Sequence, residues 1–194
     1  LEIWLDDVRA ALAGETPIVE VGRKIPSLRV SAGDELFACC PSHASGGIDP
    51  HWWHSLGNAS RAAAIAERKL AELDPDRADA YARRADGFRT RLDELENWAR
   101  AELARVPRSK RKLATAHAAF NYFCREFGWE AVPVQGLSTQ QEPSPARLRD
   151  VIDTLRRERV PAVFPEVAAN PKVMENMVKE AGVVVGGSLL AGSP

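Results

Sequence analysis

The second half of the chain alternates between short apolar stretches and segments with helical periodicity, and this alternation is what most constrains the fold. The predicted strands are 112–116, 131–135, 162–166 and 183–185, and the predicted helices between them are 118–127, 145–159 and 171–181. Such alternation predicts an α/β fold with a parallel sheet covered by helices and joined by right-handed crossovers. The loops that follow the strands should then lie along one edge of the sheet.

Helix boundaries in this half are marked by specific residues. Ser144 precedes Pro145 and Asn170 precedes Pro171, and each pair is typical of an N-cap followed by proline in the first helical turn. Gly182 stands where the last of these helices should end.

The first half is predicted to contain three helices and one strand. The helices are 3–13, 58–73 and 75–105, with a strand at 17–21, a surface loop at 33–50 and Asp74 as N-cap of the third helix. That helix should extend about 46 Å at about 1.5 Å per residue. Its apolar stripe consists of Tyr81, Ala85, Phe88, Leu92, Leu95 and Ala99.

A helix of this length suggests a rigid connection between two lobes. We therefore divide the chain into a partial N-terminal lobe at 1–74, a linker helix at 75–106 and a C-terminal α/β lobe at 107–194. The alternative is a long helix packed along a single domain.

Composition excludes some classes of function. The 26 basic and 27 acidic residues give a net charge of −1, so the chain has no overall positive electrostatic potential for binding the phosphates of nucleic acid. No stretch resembles a membrane span of about 20 apolar residues, and the first residues do not resemble a secretion signal. The three cysteines form no Cys-x-x-Cys pair, and Cys124 lies on an apolar helical stripe typical of a buried thiol.

Two histidines are the candidate metal ligands. His117 follows the first predicted strand of the second half, at the sheet edge where open α/β folds bind ligands. His51 lies in a turn-like segment 66 positions earlier (117 − 51). Neutral imidazole is the commonest metal ligand, and metal sites gather ligands from separate elements. Each histidine could instead have a purely structural role, capping a turn or packing at a strand end.

Other polar residues are weaker candidates. His54 could coordinate a metal, support a ligand or cap the surface, and Glu166 could accept a hydrogen bond from a ligand histidine or stabilise its loop. His43, Cys39 and Cys40 lie in the 33–50 loop and could bind metal weakly.

Several motifs in this order resemble the zinc and manganese solute-binding proteins of bacterial ABC transporters. The resemblance covers nearly the whole chain, and the combination is much more specific than any single motif. The motifs are Asp49-Pro-His-Trp-Trp, Ala114-Thr-Ala-His-Ala-Ala-Phe-Asn-Tyr-Phe123, Val134-Gln-Gly-Leu-Ser-Thr-Gln-Gln-Glu-Pro-Ser-Pro145, Val163-Phe-Pro-Glu-Val, Asn170-Pro-Lys172 and Gly186-Gly-Ser-Leu-Leu190.

The resemblance implies a receptor in the periplasm, or one anchored by lipid outside the cytoplasmic membrane. It would act as a monomer with two lobes bridged by one long helix, capture a divalent metal ion between them and deliver it to an ABC permease. His51 and His117 match the family's ligands, and a nitrogen ligand at position 117 favours zinc, with manganese as the alternative.

The chain departs from the family pattern in three places. The family has a further histidine ligand upstream of the position of Leu1, and a closing helix after the last strand. It also has an aspartate ligand where the ungapped match places Gly192. We therefore expect a fragment that lacks part of the first lobe and the final helix.

Two other functions remain open at this point. A zinc-dependent hydrolase could use the two histidines with Glu142 or Glu166, although the chain contains no His-Glu-x-x-His, Gly-x-Ser-x-Gly or Gly-rich phosphate loop. An adhesion or interaction domain that has lost metal binding would account for Gly192.

Overall fold

The computed structural model describes residues 16–29, 48–134, 144–166 and 171–192, together with positions 8, 10 and 11. The first long helix, α1, covers Leu56–Leu73, and Ser55 caps it by accepting a hydrogen bond from the Asn58 backbone N–H at 3.1 Å. The second, α2, covers Ala78–Ala104 and packs along α1. The predicted helix 3–13 falls mostly outside the described residues.

The prediction of a strand at 17–21 is wrong. Residues 17–20 form no strand, and a 3₁₀ turn follows at Val21–Lys24. Ile18 is exposed, so this apolar pattern does not mark a half-buried strand face. A further 3₁₀ turn, Pro75–Arg77, precedes α2. Asp74 stands at the N-cap position of this turn with Pro75 directly after it, as predicted, but its side chain makes no capping hydrogen bond. Its carboxylate accepts the Tyr81 hydroxyl at 2.9 Å.

The helix α2 contacts elements from both halves of the chain. Arg89 forms an ion pair with Glu67 of α1 at 2.9 Å, and the Arg100 guanidinium lies 5.3 Å from the ring centre of Phe127. The predicted apolar stripe is only partly packed, since Leu92 is buried whereas Phe88 and Leu95 are exposed. The 27 residues of α2 correspond to a helix length of about 40 Å at about 1.5 Å per residue.

The second half forms a four-stranded parallel sheet, as the alternating pattern predicts. The strands are β1 at Lys112–Thr115, β2 at Glu130–Pro133, β3 at Ala162–Phe164 and β4 at Val184–Val185; the helices are α3 at Asn121–Phe127, α4 at Pro145–Arg157 and α5 at Pro171–Ala181. The order of the strands across the sheet is β2-β1-β3-β4.

Successive residues of β1 enter different packing clusters. Ala114 belongs to the cluster that includes Val151 and Leu155 of α4, and Leu113 belongs to one that includes Cys124 of α3. This follows from the alternation of side chains across a strand. The sheet is therefore covered on both faces, and its carboxyl edge remains for polar groups.

The predicted N-cap of α4 and the predicted glycine after α5 are confirmed. The Ser144 hydroxyl accepts a hydrogen bond from the Arg147 backbone N–H at 3.2 Å, and Gly182 follows α5 with a φ of 70°. The start of α3 is later than predicted, because 116–120 forms a turn. In this turn the His117 carbonyl accepts hydrogen bonds from the Thr115 hydroxyl and the Ala119 N–H.

Among the described helices, none combines the length and the apolar character that a membrane span requires.

Candidate metal centre

The ring of His51 is oriented by the carboxylate of Asp49. Asp49 Oδ1 accepts the His51 backbone N–H at 2.9 Å and lies 2.8 Å from His51 Nδ1. A carboxylate that only accepts hydrogen bonds requires Nδ1 to carry the ring hydrogen, which leaves the lone pair on Nε2. Asp49 is 1% exposed and His51 is 7% exposed. The turn therefore presents one defined nitrogen of His51.

Asp49 itself is held by the first two residues of α3. Asn121 Nδ2 donates a hydrogen bond to Asp49 Oδ2 at 2.8 Å, and the Tyr122 hydroxyl donates to the Asp49 carbonyl at 3.0 Å. The same hydroxyl accepts the Leu28 backbone N–H at 2.8 Å. The His51 turn is thus attached to the second half of the chain.

The ring of His117 is oriented in the same way by Glu166, which follows β3. Glu166 Oε1 accepts the His117 backbone N–H at 3.0 Å, and Oε2 is in ion-pair contact with His117 Nδ1. Both residues are buried. Parallel pairing of β1 with β3 brings the ends of these strands together. A carboxylate behind a histidine is the usual support for a metal ligand, since it fixes the ring and raises its basicity.

The two imidazoles are close neighbours, as the sequence predicts for shared ligands. Their ring centres are 5.2 Å apart with an interplanar angle of 69°. For nitrogen–zinc distances of about 2.1 Å and tetrahedral angles, two rings that share an ion have centres about 5 Å apart. Neither Nε2 has a hydrogen-bond partner among the described residues. The geometry therefore suits two nitrogen ligands for one metal ion.

His54 has a different arrangement. Its Nε2 lies 3.0 Å from the Ala191 carbonyl, to which Trp53 Nε1 also donates a hydrogen bond at 3.0 Å. A carbonyl only accepts, so this Nε2 carries hydrogen and cannot bind a metal. Burial lowers the pKa of His54 below its ordinary value, which favours the neutral ring. We assign His54 a structural role, which was one of the alternatives from the sequence.

The remaining sequence candidates contribute no further ligand in the described part of the chain. His43, Cys39, Cys40, Glu142 and the 136–143 loop lie outside the described residues. Gly192 follows Ala191 and has open space around the position of a Cβ atom. Within 16–29, 48–134, 144–166 and 171–192, no group of three or more His, Cys, Asp or Glu side chains could hold a metal ion.

Sequence reasoning did not identify Asp49 and Asn121 as parts of the site. For Asp49 a signal was present, because aspartate side chains commonly bind the backbone two residues further along a turn. For Asn121 no local signal exists, since its partner is 72 residues away.

Comparisons with known proteins show that the chain is similar to metal-binding proteins. The family model for zinc-uptake complex component A, periplasmic (ZnuA), matches residues 1–193. The manganese-binding lipoprotein MntA of Halalkalibacterium halodurans is 28% identical over 97% of this chain and 59% of its own length. The iron-binding protein YfeA of Yersinia pestis is 31% identical over 88% of this chain and 55% of its own length.

A solved structure is also similar. The periplasmic zinc-binding protein TroA of Treponema pallidum superposes with a TM-score of 0.82 at 26% identity, over 98% of this chain and 67% of that one. The chain spans less than two-thirds of the length of the two curated relatives described above. Since the family model covers nearly every residue, the chain belongs to the ZnuA family of periplasmic zinc-uptake components.

Proposed function

We propose that this protein is an extracytoplasmic receptor that captures a divalent metal ion as cargo and delivers it to an ABC permease. The observation that carries the proposal is the pair of imidazoles, 5.2 Å apart, each with a carboxylate against its Nδ1 atom. His51 and His117 would contribute two nitrogen ligands, and other ligands would complete the coordination sphere. The relatives support a receptor that works in the periplasm or anchored by lipid at the membrane.

Zinc is the cargo that we favour, with manganese as the alternative. Imidazole nitrogen suits zinc, whereas manganese prefers sites rich in oxygen. The similar proteins are named for manganese, iron and zinc, so the preference rests on the two histidines of this chain. Stoichiometric capture requires no turnover, and we propose a binding protein and not an enzyme.

The lobe organisation is part of the proposal. We assign 1–74 to a partial N-terminal lobe, 75–106 to the linker helix and 107–194 to the C-terminal lobe. Contacts of α2 with Glu67 on one side and Phe127 on the other support this division. The two ligands then come from different lobes of a monomer, and metal would bind between them.

The test is elemental analysis of the full-length protein purified without chelators, followed by zinc and manganese titration of the metal-free protein. We expect one tightly bound ion for each chain, with zinc bound more tightly than manganese, and no hydrolysis of a generic ester. Absence of metal uptake would overturn the proposal in favour of an interaction domain. Metal-dependent ester hydrolysis would overturn it in favour of an enzyme.

A further inference from the structure

Asn121 connects the two segments that carry the candidate ligands. It is the first residue of α3 and follows His117 by four positions. Its Nδ2 atom donates hydrogen bonds to Asp49 Oδ2 at 2.8 Å and to the Ala118 carbonyl at 3.2 Å. Both acceptors lack a hydrogen to donate, so they fix which end of the amide is the NH₂ group. The side chain therefore has one defined orientation.

The hydrogen bond from Asn121 completes the set of donors around the Asp49 carboxylate. Oδ1 is occupied by the backbone N–H and Nδ1 of His51, whereas among the described residues Asn121 is the donor to Oδ2. Asp49 is almost completely buried, so water has little access to an oxygen left without a donor. Without Asn121, the carboxylate of Asp49 would recover a hydrogen bond to Oδ2 by turning toward other donors, and the ring of His51 would then lose its fixed support.

The chemical nature of Asn121 also suits this task. A neutral amide holds the carboxylate without adding a positive charge that would compete with His51 for it. The negative charge of Asp49 therefore remains available to the Nδ1–H group, which makes Nε2 a better metal ligand.

The two histidines differ in how their carboxylates are held. Both oxygens of Glu166 contact His117 itself, one at the backbone N–H and one at Nδ1. Asp49 places only one oxygen on His51 and depends on Asn121 for the other. The His51 half of the site therefore includes a third residue, whereas the His117 half contains its own support.

We propose that Asn121 is a positioning residue that acts through Asp49 to present His51 Nε2 to the metal. The inference rests on the proposed function, because it assigns a role within the same metal site. It makes the second half of the chain responsible for orienting a ligand that belongs to the first half.

The experiment measures zinc affinity by competition with a chelator in full-length protein carrying Asn121→Ala or Asn121→Asp. We expect Asn121→Ala to weaken zinc binding about ten-fold, as for loss of a group that supports a ligand. Asn121→Asp should weaken it further, because a second carboxylate repels Asp49. Tyr81→Phe is the matched control, since it also removes a hydrogen bond to a carboxylate, that of Asp74, but within the α1–α2 hairpin.

A double-mutant cycle separates positioning from general destabilisation. If Asn121 acts through Asp49, Asn121→Ala should cause no further loss of zinc affinity in an Asp49→Ala protein, but a full additional loss in a Glu166→Gln protein. Asp49→Asn replaces Asp49→Ala if the latter does not fold. In the metal-free protein, nitrogen NMR should find His51 with hydrogen on Nδ1, and Asn121→Ala should yield a mixture of tautomers.

Two results distinguish failure of the inference from failure of the proposed function. Asn121→Ala with parental zinc affinity and an unchanged His51 tautomer would overturn the positioning role alone, as would a loss that persists in the Asp49→Ala background. Parental zinc affinity in both His51→Ala and His117→Ala would instead overturn the metal site itself.

Discussion

Glu166 contacts His117 at two points, the backbone N–H at 3.0 Å through Oε1 and the ring Nδ1 through Oε2. The carboxylate thereby fixes both the position of the residue in its turn and the rotation of its ring. Since Glu166 follows β3 and His117 follows β1, parallel strand pairing brings these groups together.

Glu166→Gln should weaken zinc binding about ten-fold or more while the fold is retained. The glutamine carbonyl can still accept the His117 backbone N–H, but its NH₂ group would face Nδ1 and favour the tautomer with hydrogen on Nε2. Zinc competition titration measures the effect, and Glu130→Gln is a control because Glu130 forms an exposed pair with Lys112. Equal affinities in the Glu166 and Glu130 variants would contradict this prediction.

His51→Ala and His117→Ala should each reduce zinc affinity by about ten-fold or more, because each removes a ligand nitrogen. His54→Gln should have a smaller effect, since His54 Nε2 is already bonded to the Ala191 carbonyl. Calorimetric titration of the three full-length variants compares them directly. A loss in His54→Gln as large as in the other two would mean that the ligand assignment is wrong.

Burial of His54 should make the metal-free protein less stable in acid. Desolvation lowers the folded-state pKa of His54 below its ordinary value of 6.5, although the hydrogen bond to the Ala191 carbonyl acts in the opposite direction. Above 6.5 the ring is neutral whether the chain is folded or unfolded. As the pH falls below 6.5 the unfolded chain takes up the proton first, and stability decreases until the pH reaches the lower folded-state pKa.

The measurement is urea unfolding of the parent and His54→Gln in the presence of chelator, at about pH 7.5 and about pH 5.5. Glutamine can donate to the Ala191 carbonyl but does not titrate, so its protein should lose less stability on acidification. His51 and His117 are present in both proteins, and their contributions cancel in the comparison. An identical loss in the two proteins would show that His54 does not contribute to the pH dependence.

Cys124 should be unreactive in the folded protein. Burial raises the pKa of its thiol to about 12, so the reactive thiolate is nearly absent at neutral pH. We expect iodoacetamide to modify Cys124 only after urea is added, and peptide mass spectrometry can follow this residue separately from the other cysteines. Rapid modification of Cys124 in the native protein would argue against the packing around α3.

Metal binding should cause little change in overall dimensions. The continuous helix α2, from Ala78 to Ala104, offers no flexible joint within its length for a wide rotation of lobes. X-ray scattering profiles of the full-length protein with and without zinc should nearly superimpose, while hydrogen exchange slows near His51 and in the 136–143 loop. Marked compaction with zinc would contradict the prediction.

Local rules predicted the second half of the fold well because its signals are local. Ser144 before Pro145 and Gly182 after α5 both have the predicted capping roles. The 17–21 stretch gave a similar apolar signal, but no neighbouring strand pairs with residues 17–20 in the structure. Whether such a stretch becomes a strand depends on pairing with another strand in the tertiary structure, and a local sequence pattern carries no information about that pairing.

The two candidate ligand histidines could be identified from the sequence more readily than the side chains that orient them. His51 and His117 are marked by residue type and by position after a turn or a strand. Glu166 was already a predicted acceptor for a ligand histidine, because it follows a strand at the same sheet edge, and it contacts His117 in the structure. No role was predicted for Asp49 or for Asn121, which reaches Asp49 across 72 residues. Supports of this kind depend on the fold as a whole, and residue spacing does not reveal them.

The shared acceptor of Trp53 and His54 has a consequence for how the chain tolerates change. Both side chains donate to the carbonyl of Ala191, a backbone group that every residue type possesses. The hydrogen bonds that connect the segment after His51 to the segment after β4 therefore require only the backbone of position 191, whose side chain packs separately against the cluster around Leu113. On the other side of this contact, the hydrogen bonds require side chains that can donate, as those of Trp53 and His54 do.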